Sequence, residues 1–160
     1  MQGITRFATG FPVQMQQGND DISLADSAAT DMPDRVGPVT TVNPRQVNTS
    51  CPTYDPTIPG SGTGCYFLPS AFALNSTLGT FGTSNRRFFH GPGFNNTDFG
   101  ILKRTQIHEN YAFDLRVEFF NIFNHAQFKN PDGNIDDQNF GLVTQARDPR
   151  IGQISAKFYW

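Results

Sequence analysis

A chain of 160 residues with a formal charge of −2 has the length of one domain and lacks the cationic excess that nucleic acid or another polyanion requires. No run of roughly 18 apolar residues is present, which excludes a membrane-spanning helix and leaves strands as the only route across a bilayer. Charge is sparse, Gly and Pro are frequent, and 16 phenylalanines coexist with a mean hydropathy of −0.42. Alternating strands joined by polar loops give that mixture.

The first strand is expected over about residues 2–14, with breaks near Gly10 and Pro12. Met1 to Ile4 has no basic region followed by an apolar stretch, and Gly3–Gly10 starts inside a strand. The chain is therefore expected to be a fragment of a longer protein. From about residue 15 to 96 turn formers dominate, including Asn43-Pro44, Pro59-Gly60 and Gly62-Thr63-Gly64, and a long loop is expected. Its apolar patches, Tyr66–Leu68 and Ala71–Leu74, are short enough for a helical turn or for packing on a rim. A loop of this length argues against a compact soluble domain. Cys51 and Cys65 share the turn-rich stretch, a setting that fits a disulfide in an oxidising compartment, two surface thiols being the alternative.

The second strand is expected over residues 97–107, with Phe99 and Ile101 on one face and Asp98, Gly100 and Arg104 on the other. A turn at His108-Glu109-Asn110 leads to the third, over 111–123. There Phe113, Leu115, Val117 and Phe119 alternate with Asp114, Arg116, Glu118 and Phe120. Three ionisable side chains in a row cannot line a dry core unless they pair, but they can line a wet lumen. A loop over 124–149 precedes the terminal strand, 150–160, which sets Gly152, Ile154, Ala156, Phe158 and Trp160 against Gln153, Ser155, Lys157 and Tyr159. An apolar face that ends on aromatics suits hydrocarbon bounded by an interfacial girdle.

Each strand is close to the 9–11 residues that a tilted membrane strand needs. Read backwards from Trp160 the connections run long, short, very long, the pattern of outer-membrane barrels with short periplasmic turns and long outer loops. The turn at Glu109 is then periplasmic, and the Cys51–Cys65 and Asn130–Asp137 loops lie outside the cell.

Other motifs point to no catalytic or metal chemistry. Asp132 to Asp137 alternates oxygen ligands like the start of a calcium loop, but Asp137 and Val143 stand where an EF-hand has Gly and Glu. A solvated acidic loop is the expectation. His90, His108 and His125 show no metal-ligand spacing, and no nucleophile elbow or phosphate loop is present. Asp114 and Glu118 lie four residues apart on one face, about 13 Å along a strand, beyond the reach of paired glycosidase carboxylates. No cofactor and no enzyme activity are expected.

His90-Gly91-Pro92-Gly93-Phe94-Asn95-Asn96-Thr97-Asp98-Phe99, the run Leu115 to His125 that reads LRVEFFNIFNH, Phe140-Gly141 and Ala146-Arg147-Asp148-Pro149-Arg150 resemble the end of a known family. It is the Oar-like TonB-dependent outer-membrane receptors with a carboxypeptidase-regulatory-like domain, of the Acidobacteria type. The likeness covers residues 86–160 and, more loosely, 3–13. Trp160 departs from the usual terminal Phe while remaining aromatic.

The resemblance implies an all-β fold: an antiparallel meander of about four transmembrane strands, the C-terminal segment of a barrel of the 22-strand, plugged type. It implies uptake of a nutrient across the bacterial outer membrane, driven through TonB. The implied partners are outer-membrane lipid, the rest of the barrel and its plug, the barrel assembly machinery and TonB. Phe158, Tyr159 and Trp160 would form the assembly signal, and Asp114, Arg116 and Glu118 would face the lumen. A secreted β-sandwich binding module is the alternative, though the polar middle supplies no convincing second sheet.

Overall fold

The computed structural model describes residues 1–18, 31–77, 79–85 and 87–160. Its elements in chain order are β1 (Gln2–Ala8), β2 (Asp34–Arg35), a 3-10 turn (Pro69–Ala71), β3 (Phe72–Ala73), β4 (Phe94–His108), β5 (Tyr111–Phe120) and β6 (Ile151–Tyr159). The described chain forms two compact units.

The first unit is Met1–Thr9, Gly93–Phe128 and Ala146–Trp160. It is a four-stranded sheet in the order β1-β4-β5-β6, every neighbouring pair antiparallel. Cross-strand partners share a face, so the register assigns the faces directly. One row runs Gly3, Phe99, Phe119, Gly152 and the next Ile101, Val117, Ile154. The opposite face carries Gln2, Gly100, Glu118 and Gln153 in one row and Arg104, Asp114 and Lys157 in another. The alternation seen in the sequence therefore holds along β5 and β6, while Ile4 and Leu102 stand on the polar face and Lys103 on the apolar one.

The glycines on the apolar face are roofed by aromatics. A Cβ on Gly152 would stand 3.0 Å from the Phe119 ring, and one on Gly3 would stand 3.7 Å from the Phe99 ring. Phenylalanine laid over a cross-strand glycine restores the contact that the missing side chain gives up.

Three strands differ from their expected bounds by more than one residue, β6 by one at each end. β1 stops at Ala8 and not near residue 14. Beyond it Gly10 passes so close to Gly91 that a Cβ would meet the Gly91 carbonyl, Pro12 has no N–H for a ladder, and Val13 and Met15 turn inward to 1% and 0% exposure. β4 starts earlier, at Phe94, because β1 pairs with it as far as Ala8–Phe94. β5 ends at Phe120, three residues early, because Asn121 takes a φ of 51° that no strand can continue.

The second unit, Gly10–Pro92 with Lys129–Gln145, is made from the two expected loops together with the end of the expected first strand, Gly10–Gln14. They are not structureless where described; the expected loop 15–96 also includes 19–30, 78 and 86, which lie outside the described residues. Val13, Met15, Phe67, Ala71, Phe72 and Phe140 form a core, with Phe88, Phe89 and Ile135 packed against it. The patches Tyr66–Leu68 and Ala71–Leu74 thus supply Phe67 and Phe72 to this core, beside the 3-10 turn. Phe67 is fully buried, and its ring meets those of Phe72, Phe89 and Phe140 edge-on at 5.2–5.6 Å. Edge-to-face contact of this kind adds to the burial of the ring itself.

A buried polar knot stands beside this core. The Gln17 side chain donates to the Asn75 carbonyl and accepts from the Asn75 N–H, both at 2.8 Å. Asn75 Nδ2 donates in turn to Asp31, which also accepts from the Gly82 N–H at 3.2 Å. Each group that loses water here gains a partner, which makes the burial tolerable.

Cys51 and Cys65 are joined in a disulfide, their Cα atoms 6.0 Å apart, packed against Leu142. A bridge across 14 positions restricts the unfolded chain by about 3 kcal/mol. Within its loop the Thr57 hydroxyl, and then the Thr57 N–H, donate to Asp55 and hold its carboxyl below the usual carboxylate range.

Candidate functional site

The end of the sheet away from the β4–β5 turn is fastened by a clasp centred on Asp98. Its Oδ1 accepts from the Asn121 N–H at 3.0 Å and from Asn96 Nδ2 at 2.8 Å, while Oδ2 meets Arg6 at 3.0 Å. One carboxylate therefore ties β1, β4 and the end of β5. Asn121, 5% exposed, closes the turn that follows: its amide accepts from the His125 N–H and donates to the His125 carbonyl. Asn124, at φ 52°, accepts from the Arg150 N–H and so brings in the start of β6. The Gln127 side chain exchanges hydrogen bonds with both backbone groups of Asn95.

Only Asn and Asp among non-glycine residues take the left-handed conformation readily while offering side-chain partners to the nearby backbone, which explains the two asparagines. Asp98, Asn121 and Gln127 were not among the expected functional residues. Their signal lay in the strings around Asn95–Asp98 and Asn121–His125, whose shared purpose is to meet here. Replacing Asp98 with Ala strips three donors of an ionised acceptor and leaves the Asn121 N–H unpaired. The expected loss is about 2 kcal/mol, read as a lower unfolding temperature in detergent; Asp98→Asn, which keeps an acceptor, should lose less.

Asp114, Arg116 and Glu118 lie on one face, as their spacing predicts, and each has partners. The Tyr159 hydroxyl donates to Asp114 at 3.1 Å, and Arg104 stands 3.7 Å from the same carboxylate. Arg104 and Lys157 also sit over the Tyr159 ring, 5.0 and 4.8 Å from its centre. Glu118 accepts from Gln153 at 2.6 Å and pairs with Arg116 at 3.7 Å. A depression of about 450 Å³ opens among these groups, lined by Asp114, Arg116, Ser155, Lys157 and Tyr159.

The terminal aromatics divide between the faces. Phe158 and Trp160 stack at 6.3 Å, and Tyr111 stacks on Phe158 at 5.9 Å, so these three form an aromatic ledge on the apolar face. Tyr159 points the other way, into the polar network. In the Asp132–Asp137 stretch Asp132 and Asp137 accept from backbone N–H groups two residues on, and Asp136 accepts from the Gly18 N–H. Among the described residues no group of three or more His, Cys, Asp or Glu is placed to hold a metal.

A four-stranded antiparallel sheet with one apolar and one charged face, ending in an aromatic ledge, is what a piece of barrel wall requires. A family model described as an outer membrane beta barrel domain matches residues 1–153. The chain belongs to this family. No curated protein and no solved structure matches it. The barrel domain resides in the outer membrane, and its sheet supplies strands to an antiparallel barrel. Four strands are too few to close one, the smallest having about eight.

Proposed function

We propose that this barrel domain is the C-terminal wall of a TonB-dependent receptor that takes up a nutrient, with no catalytic step of its own. The observation that carries the reading is the division of β5 into two faces. Phe113, Leu115, Val117 and Phe119 occupy one face, while Asp114, Arg116 and Glu118 occupy the other, in two polar clusters, one around Asp114 and Tyr159 and one around Glu118 and Gln153. In this reading the first set meets lipid and the second lines a wet lumen large enough for a plug. Such a lumen needs about 22 strands, well beyond the small barrels whose interiors are filled by side chains.

The orientation follows from the connections. The β4–β5 turn is two residues long, while the segments leaving the other end of the sheet build the second unit. Short turns belong to the periplasm, which in this reading puts Trp160 at the periplasmic boundary and leaves the long connections, with Cys51–Cys65 and Asn130–Asp137, outside the cell. The other partners in this reading are the remaining strands of the barrel, its plug, the assembly machinery and TonB. The strings that carry the likeness to Oar-like receptors, around Asn95–Asp98 and Asn121–His125, meet in the Asp98 clasp, which is compatible with this reading.

Disrupting the gene and depleting TonB should abolish growth on the same scarce nutrient, measured across a panel of sole nutrient sources. Normal growth of the disrupted strain on every TonB-requiring nutrient would contradict the assignment. The face assignment has its own test. Val117→Arg places a charge against hydrocarbon and should destabilise the inserted protein by about 2–4 kcal/mol, measured by denaturant unfolding from lipid vesicles. Ser155→Arg, on the polar face, should cost far less.

A further inference from the structure

In the folded second unit the Cys51–Cys65 disulfide lies under cover. Cys51 and Cys65 are 4% and 1% exposed, and Leu142 and Val42 pack against them. The stretch that covers Cys65 comes from far along the chain. Cys65 and Leu142 are antiparallel bridge partners, Tyr66 donates its N–H to the Gly141 carbonyl at 2.9 Å, and Val143 donates to the Gly64 carbonyl at 2.7 Å. Thiol–disulfide exchange requires a thiolate to reach a sulfur, so a bridge covered in this way neither forms nor breaks while the cover is in place.

The cysteine loop has its own hydrogen bonds, independent of that cover. The Asn48 N–H donates to the Gly62 carbonyl, and the Gly62 N–H donates to the Thr53 carbonyl. The Asp55 N–H donates to the Ser61 hydroxyl at 2.9 Å, and that hydroxyl donates to the Asp55 carbonyl at 2.6 Å. Asn48 Oδ1 accepts from the Ser50 N–H. All of these bonds lie within residues 48–62, so each closes only a short loop and can form once this stretch alone is free. Gly141, Leu142 and Val143 are made and exported long afterwards. The cysteines can therefore meet before their cover arrives.

We infer that the unassembled chain is a substrate of a periplasmic dithiol oxidant, a protein carrying a reactive disulfide, which oxidises Cys51 and Cys65 before the Gly141–Val143 stretch closes over them. Residence in the outer membrane requires passage through the periplasm, where oxidation is maintained by such a protein and not by a small-molecule buffer. The thiolate of one cysteine attacks the oxidant's disulfide and forms a mixed disulfide, while the oxidant's other sulfur leaves as a thiolate. The thiolate of the second cysteine then attacks the first cysteine's sulfur and releases the oxidant. Cys51 and Cys65 end oxidised, and the oxidant ends as a dithiol that carries the two protons they gave up. The inference goes beyond the transport reading and does not depend on it.

Pulse labelling of the full-length protein in the bacterium, with free thiols alkylated at each time point, tests the order of events. The disulfide should appear in chains that have not yet acquired heat-modifiable mobility. In cells lacking the periplasmic dithiol oxidant, those chains should keep both thiols at least about tenfold longer. Heat-modifiable protein that still carries thiols and oxidises later overturns the inference, as does oxidation at the normal rate without the oxidant. The finished protein gives a second reading. In native membranes dithiothreitol should reduce the bridge about 100-fold more slowly than in urea, the protection expected of a site exposed only by local opening. Leu142→Ala, which thins the cover, should speed reduction in membranes about tenfold. Ile58→Ala, inside the loop and 57% exposed, should leave it unchanged. Equal rates in membranes and in urea overturn the inference, and a Leu142→Ala bridge as slow to reduce as the wild type overturns the role of the Gly141–Val143 cover. Should Leu142→Ala not assemble, the wild-type comparison decides the matter.

Discussion

Phe67→Ala should lower the stability of the disulfide-bearing unit by about 4 kcal/mol, near the upper end of what a core truncation does. Phe67 is the hub of that unit. It is fully buried, three aromatic rings meet it edge-on, and the Gly141 backbone lies so close that a Cβ there would stand 2.6 Å from the Phe67 carbonyl. Such packing leaves little freedom for neighbours to collapse into the space, so the cavity persists and its cost adds to the lost burial. Hydrogen exchange of the amides of Phe67, Gly141 and Leu142 should report the loss, since all three are bonded within the unit. Ile58→Ala, at a residue 57% exposed, should change protection little. Equal protection in both variants would show that the unit is held by its disulfide and turns alone.

Removing Trp160, or replacing it with Asp, should reduce folded, membrane-inserted protein by a factor much larger than its contacts explain. The side chain is 87% exposed within the chain and stacks on Phe158 alone. Its burial in an interface is worth at most about 3 kcal/mol, a loss that a large barrel can survive. On the proposed reading, a collapse in assembled protein reports failed recognition of this aromatic end by the assembly machinery. The ring contacts define which face such a signal would present. Trp160 and Phe158 present one aromatic edge with Tyr111, while Tyr159 is occupied with Asp114 on the other face. Tyr159→Phe should accordingly disturb the polar network more than assembly. Heat-modifiable mobility on gels measures assembly, and normal amounts of both Trp160 variants would reduce the residue to an ordinary girdle aromatic.

The parts of the fold that the sequence makes legible are those governed by a period of two. Phe113 to Phe119 and Gly152 to Phe158 alternate strictly, so their faces and approximate ends can be read without coordinates. The same rule misleads at Val13, which continues the alternation of β1 but belongs to the core of the second unit. Alternation identifies which side chains seek a dry environment and is silent about which one they find. The second unit has no period at all. Its core assembles Val13, Phe67, Phe72 and Phe140 from distant stretches embedded in turn formers, and only tertiary contacts bring them together. The clasp was visible as wording without meaning. Asn121 and Asp98 sit in recognisable strings, but that a carboxylate on β4 receives the backbone N–H just past β5 depends on the register of two strands. Lys103 is the opposite case, since its place on the apolar face follows from counting alone.

The measurement that bears most directly on the account is cysteine accessibility at two adjacent positions of β5. Val117→Cys and Arg116→Cys, in the full-length protein in intact outer membranes, differ only in the face to which the thiol points. A membrane-impermeant, water-soluble maleimide should label position 116 and spare position 117, while a lipid-soluble maleimide should reverse the preference. Labelling of position 117 by the water-soluble reagent, with position 116 spared, would contradict the assignment of the Phe113–Phe119 face to lipid and with it the reading of this sheet as barrel wall.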